Sequence, residues 1–199
     1  MLLLDNGTKF IPTLHPAYIL RDWASRALAV LDLKRAASYR MGAAYPVPAW
    51  HFRFGEREIL QTLLGRLENE RLELSLDIET SGGHIDCLGI AWSELDAVCI
   101  PFTCEKGDYW TLDEEVEVVQ MLRRLLTHPN ARVIGQNLLY DFQYIYRHWG
   151  FIPNCSFDTM IAHHVCFAGL KKSLDFQASM YSKYYCQWKP DRSKTKEGG

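Results

Sequence analysis

LELSLDIETSGG, residues 72–83, alternates like a strand and then breaks its own pattern. Leu72, Leu74 and Leu76 alternate with Glu73 and Ser75, the period of a strand with one buried face. Two acids follow, Asp77 and Glu79, separated only by Ile78, and then Thr80, Ser81 and two glycines. A period of two places both carboxylates on one face. Adjacent carboxylates repel each other and lose hydration when buried. A divalent metal relieves both penalties, because carboxylate oxygen is a hard ligand suited to Mg²⁺ or Mn²⁺. Two exposed acids that cap neighbouring amides at a strand end would leave the same D-x-E trace.

The segments on either side extend the strand reading. IDCLGIAWS (85–93) and AVCIPF (97–102) are further short strands between turn-like residues. TLDEEVEVVQMLRRLLTHP (111–129) starts a helix at Thr111, with Glu114 placed for a capping box. ARVIGQN (131–137) is a strand, and LLYDFQYIYRHWG (138–150) is a helix closed by glycine. CSFDTMIAHHVCFAG (155–169) passes from strand to helix, and SLDFQASMYSKYY (173–185) is a last helix. Three consecutive strands followed by alternating helix and strand predict an α/β fold, a mixed sheet flanked by helices. Upstream, EREILQTLLGRLENE (56–70) repeats its apolar residues at helical spacing. MGAAYPVPAWHFRFG (41–55) reads as a connector. KFIPTL (9–14) and a helix over roughly 22–40 form an N-terminal strand–helix appendage. The expected divisions are 1–40, a linker and helix over 41–70, and a main domain over 71–199.

Composition narrows the class. The chain has 199 residues, 48% hydrophobic and 13% aromatic, which is globular composition. No apolar run reaches the ~18 residues of a membrane span, and MLLLDNG does not read as a signal peptide. Six cysteines show neither a CxxC pair nor disulfide-like regularity, which predicts reduced thiols in the cytoplasm. The net charge is −2, but residues 61–150 hold 15 acids against 7 bases while residues 171–199 hold 7 bases against 3 acids. An acidic centre suits metal ions, and a basic segment suits a polyanion; a solvated basic tail has the same charge.

VIGQNLLYDFQY adds Asp141 to the acids, in the first turn of its helix and four residues after Asn137. Taken alone, Asp141 reads as an acid that complements a helix dipole. Taken with LSLDIETSG, it resembles the second motif of the DEDD 3′–5′ exonucleases, LSLDIETSG being the first. FDTMIAHHVCFAGLKKSLDFQASMY resembles the segment that follows in proofreading domains of family A DNA polymerases, especially phage versions. The resemblance covers about residues 72–188. It implies an RNase H-like fold and two-metal hydrolysis of the 3′-terminal phosphodiester of single-stranded DNA, in the cytoplasm of a bacterial host, with a polymerase domain normally in the same chain. It further implies that Asp77 bridges two Mg²⁺ or Mn²⁺ ions, that Glu79 helps hold the ion that activates water, and that Asp141 holds the other. Asn137 and Thr80 would hydrogen-bond the terminal nucleotide or orient the carboxylates. Asp158 is assigned with them to the substrate side, although an acid in FDT is also placed to cap the helix starting near Thr159.

The match stops at the family's fourth carboxylate, carried by Y-x3-D or H-x4-D. Asp175, Asp191 and the pair His163–His164 lack the required partners. The chain is therefore expected to stop before its third motif and to be a weak nuclease until extended through it. Residues 9–38, with His15-Pro16-Ala17, resemble the C-terminal end of iron–sulfur-type uracil-DNA glycosylases, without the motifs that would precede it. Two other readings remain open, a single-strand-binding fragment of the same fold that does not cut and a ribonuclease D-like exoribonuclease.

Overall fold

The computed structural model describes residues 2–3, 9–10, 13–38 and 48–182. The chain divides into two units, one of residues 1–47 with 163–199 and one of residues 48–162.

In the first unit, β1 (Leu2–Leu3) pairs antiparallel with β2 (Lys9–Phe10). The expected strand over 9–14 is shorter than the sequence suggests: residues 13–15 are not strand, and residues 11–12 lie outside the described residues. The helix expected over roughly 22–40 is present as a 3₁₀ turn (Trp23–Ser25) leading into α2 (Arg26–Ser38). A short helix that was not expected, α1 (Pro16–Arg21), precedes it; the His15 ring accepts the Ala17 amide and Pro16 opens the first turn. The two break at Asp22, whose carboxylate accepts the Ser25 hydroxyl at 2.6 Å. A short acidic side chain that bonds locally competes with the helical backbone, and this explains the break.

The second unit opens with β3 (His51–Phe54), which the sequence reading took for connector. Four residues between turn signals carry little periodicity, and β3 is a strand because it pairs in parallel with a distant partner. Then come α3 (Glu58–Leu67), β4 (Leu72–Ser81), β5 (His84–Ala91) and β6 (Asp96–Pro101). A small hairpin, β7 (Thr103–Cys104) and β8 (Gly107–Asp108), leads to α4 (Leu112–Leu126), β9 (Ala131–Gly135), α5 (Leu138–Trp149) and β10 (Cys155–Asp158). The helix α6 (Thr159–Cys166) follows, and α7 (Leu174–Tyr181) belongs to the first unit.

The main sheet has the order β10-β9-β4-β5-β6-β3. β4 runs antiparallel to β5 and parallel to β9. This is the expected mixed α/β sheet flanked by helices. Leu72, Leu74, Leu76 and Ile78 of β4 enter one core with Leu60, Leu63 and Leu67 of α3 and Val118, Leu122, Leu125 and Leu126 of α4. Asp77 and Glu79 lie exposed in the opposite phase. The α4 start matches the sequence reading. Thr111 accepts the Glu114 amide and the Glu114 carboxylate accepts the Thr111 amide. Thr111→Ala is expected to lower the unfolding free energy by about 1 kcal/mol, read from denaturant midpoints.

Candidate active site

Two register facts position the site. β9 pairs with β4 only from Leu72 to Ser75, whereas β4 continues to Ser81 with β5 alone. Beyond Ser75, then, one edge of β4 lacks a strand partner among the described residues. The chain leaves β9 at Gly135, and here glycine is required. A Cβ at this position would lie 2.8 Å from the Leu76 carbonyl oxygen and 2.5 Å from the Leu138 side chain. Asn137 then adopts a left-handed conformation, φ 59°, which asparagine tolerates better than most residues. This bend starts α5 against the open edge of β4.

Asp141, one turn into α5, is 3% exposed, and its Oδ1 accepts the Ile78 amide at 3.0 Å. That amide belongs to the residue between Asp77 and Glu79. Asp141 is thus bonded to the backbone between the other two acids expected from the sequence, which lie on the exposed face of the sheet. Burial, followed by the charges of Asp77 and Asp158, pushes the Asp141 carboxyl up to about 6, and the Ile78 amide only partly offsets this. A buried carboxylate with a like charge beside it is chemically suited to a hard divalent cation. Among the described residues, no three His, Cys, Asp or Glu side chains close into a ligand set.

Thr80 and Asn137 flank these acids. The Thr80 hydroxyl hydrogen-bonds the Tyr140 hydroxyl at 2.8 Å. Tyr140 begins a ladder that the sequence reading missed. Its ring lies 5.0 Å from that of Tyr144, which stacks on His148 at 6.1 Å, and His148 Nε2 donates to the Gly83 carbonyl at 3.0 Å. The available signal was the i, i+4, i+8 spacing of three rings on one face of α5. The ladder fastens α5 to the β4–β5 turn and so braces the Asp141 helix against the strand that carries Asp77 and Glu79.

Asp158 carries more than the one cap read from the sequence. Its Oδ1 accepts the Met160, Ile161 and Asn137 amides, and its Oδ2 accepts the Leu138 amide at 2.8 Å. One carboxylate therefore caps both α5 and α6. Asn137 makes no side-chain cap to α5, since an acid 20 residues downstream of Leu138 supplies it. Asp158→Ala is expected to destabilise the fold by about 2 kcal/mol, with faster amide exchange at both helix starts.

Asp175, His163 and His164 belong to the first unit. Asp175 sits in the first turn of α7, its carboxyl held below the ordinary range by the Ser173 hydroxyl and then by the Phe176 amide. His163 is buried against Tyr181, at 2.9 Å, and His164 is exposed. Asp191 lies outside the described residues, as do Lys183, Tyr184, Tyr185, Trp188, Lys189 and Arg192 of the basic stretch. No helix among the described residues is long and apolar enough to cross a membrane.

A family model described as 3′–5′ exonuclease matches residues 54–196. DNA polymerase I of Aquifex aeolicus is 32% identical over 109 residues, covering 54% of this chain and 16% of that protein. DNA polymerase I of Borreliella burgdorferi is 32% identical over 114 residues, 54% of this chain and 12% of that protein. The chain thus spans under a fifth of the relatives it matches. Among solved structures, Brucella melitensis NrnC bound to pGG matches with a TM-score of 0.52 at 16% identity, over 71% of this chain and 66% of that one. The catalytic core of RRP6 from Trypanosoma brucei matches with a TM-score of 0.51 at 15% identity, over 89% of this chain and 46% of that one. These two likenesses establish the shared RNase H-like fold.

Proposed function

The chain belongs to the 3′–5′ exonuclease family, as a domain of the DNA polymerase I type, and on that premise we propose that it hydrolyses the 3′-terminal phosphodiester of single-stranded DNA with two divalent cations, Mg²⁺ or Mn²⁺. The observation that carries this reading is the buried Asp141 carboxylate bonded to the amide between Asp77 and Glu79. Asp77, Glu79 and Asp141 would hold the cations. Bound there, cations supply charge stabilisation for the attacking and leaving oxygens of an in-line displacement.

The chain's own residues do the positioning. Ile78 fixes the Asp141 carboxylate through its amide, and Asp158 fixes the start of the helix that carries it. Thr80, held by Tyr140, and Asn137, in its left-handed turn, flank the acids and are assigned to the terminal nucleotide. Asp158 belongs to the substrate side only through the helix starts it caps. A polymerase domain in the same chain, a proofreading role and a phage or bacterial setting complete the proposal. For residues 1–40 we propose a glycosylase-derived appendage without uracil excision.

The test compares degradation of end-labelled single-stranded DNA and RNA by the wild type and by Asp77→Ala, with Mn²⁺ binding followed by calorimetry. Loss of both cleavage and Mn²⁺ binding in the variant supports the reading. Equal Mn²⁺ binding by the variant removes this metal site. Preference for RNA selects the exoribonuclease reading, and binding of 3′ ends without cleavage selects the binding fragment.

A further inference from the structure

Cys87 and Cys99 form a pair that the exonuclease reading does not use. The ladder pairs Cys87 with Pro101 and Gly89 with Cys99, so the two cysteines are diagonal neighbours on adjacent antiparallel strands, on one face. The Phe102 amide donates to the Asp86 carbonyl at 2.7 Å, which places the Cys87–Pro101 and Gly89–Cys99 pairs at the closer, non-hydrogen-bonded positions. Right-handed strand twist draws one diagonal together, and each thiol is the leading influence on the other's acidity, raising the pKa of Cys87 and lowering that of Cys99. Both are half-buried free cysteines on the open face of the sheet. Register also ties them to the acids: Cys87 is the ladder partner of Glu79, and Asp77, Gly89 and Cys99 form one row across β4, β5 and β6.

We propose that Cys87 and Cys99 are a reversible oxidation site for hydroperoxides, whose disulfide weakens metal holding at Glu79. The hydroperoxide oxidises one thiol to a sulfenic acid. Its O–O bond breaks, and an alcohol, or water from hydrogen peroxide, leaves. The second thiol attacks that sulfur, the S–S bond forms, and the sulfenic oxygen departs as water. In total the two thiols lose two electrons and two protons, and the hydroperoxide is reduced. A diagonal disulfide strains the ladder, because diagonal neighbours lie about 7–8 Å apart and a disulfide spans at most about 6.8 Å between Cα atoms, so the strands must shift. Strained disulfides are the readily reduced ones, so thiols reverse the bond. Contracting the sulfurs to about 2.05 Å pulls Cys87 along β5, away from its place beside Glu79. The effect on metal rests on Asp77 and Glu79 being ligands; the disulfide does not.

The test uses the full chain with its other four cysteines replaced by serine, treated with hydrogen peroxide and then with dithiothreitol. Non-reducing peptide mapping is expected to find Cys87 joined to Cys99, and calorimetry to find Mn²⁺ affinity lowered about tenfold, a typical effect on groups behind metal ligands, with both changes reversed by the thiol. Cys87→Ala or Cys99→Ala is expected to keep reduced-state Mn²⁺ affinity and lose the response; should one fail to fold, the other serves. Absence of the 87–99 crosslink under conditions that oxidise free thiol overturns the site. A crosslink with unchanged Mn²⁺ affinity overturns its coupling to Glu79. A reduced protein that binds no Mn²⁺ counts against the metal reading instead, and the crosslink still decides the site.

Discussion

Asp141→Asn is expected to make the metal-free protein more stable and the nuclease inactive. The Asp141 carboxyl is raised to about 6, from an ordinary 3.8, by burial and then by the charges of Asp77 and Asp158. Between about pH 4 and pH 6 the folded chain holds a proton there that the unfolded chain has released. Unfolding free energy therefore falls as pH rises through that window, and the penalty stays constant above it. At pH 7 it amounts to at most about 3 kcal/mol. Asparagine keeps an acceptor for the Ile78 amide and carries no charge to repel Asp77 and Asp158. Thermal unfolding with chelator present should show the variant more stable at pH 7 by on the order of 5–10 °C. Near pH 4 the two proteins should unfold alike. Cleavage should drop by at least about a thousandfold, because a neutral amide is a poor ligand for a hard cation. Equal stability at pH 7, or a difference independent of pH, would contradict the electrostatic account. Such a trade, with stability given up to hold a charged group where chemistry needs it, is common at functional sites.

Gly135→Ala is expected to damage fold and site together. The added methyl would sit 2.8 Å from the Leu76 carbonyl oxygen, a backbone atom that cannot swing away. The Leu138 side chain, also within 3.0 Å, can shift only at the expense of its buried position. Overpacking of this kind costs about 1–3 kcal/mol, and relief comes by moving the β9–α5 turn off β4. That movement carries Asp141 away from the Ile78 amide. A displacement on the order of 1 Å can lower the rate about a hundredfold. Denaturant unfolding and single-turnover cleavage measured on the same preparation would show both losses. Full cleavage by a destabilised variant would mean that the turn and the acids are not mechanically linked.

The residues that failed to reveal themselves in the sequence share one feature. Asp158 caps α6 through amides two and three residues away, and that cap was legible in FDT. Its cap of α5 spans 20 residues and depends on β10 lying beside β9. The HFRF strand β3 is held by β6, more than 40 residues away, and its own few residues hold no pattern strong enough to declare it. Asp22 shows the converse. Its local hydrogen bond to Ser25 separates the short helix α1 from the helix expected over roughly 22–40. The Cys87–Cys99 pair exists only through register, since 11 intervening residues hide a diagonal placement.

By itself the sequence determined the parts that depend on near neighbours. These are the alternation that makes β4 a strand with Asp77 and Glu79 on one face, the Thr111 capping box, the Gly150 stop of α5, and the α/β order of the elements. Each rests on periodicity or on backbone groups a few residues apart, and such interactions are written in consecutive letters. Only the tertiary structure decided that β9 stops pairing at Ser75, that Gly135 lets the chain pass against Leu76, and that Asp141 comes to rest on the amide between two other acids. Those outcomes turn on strand register and on the close approach of distant backbones. Burial then sets the charge state of Asp141, because a carboxylate's hydration is lost only when the rest of the fold has closed around it.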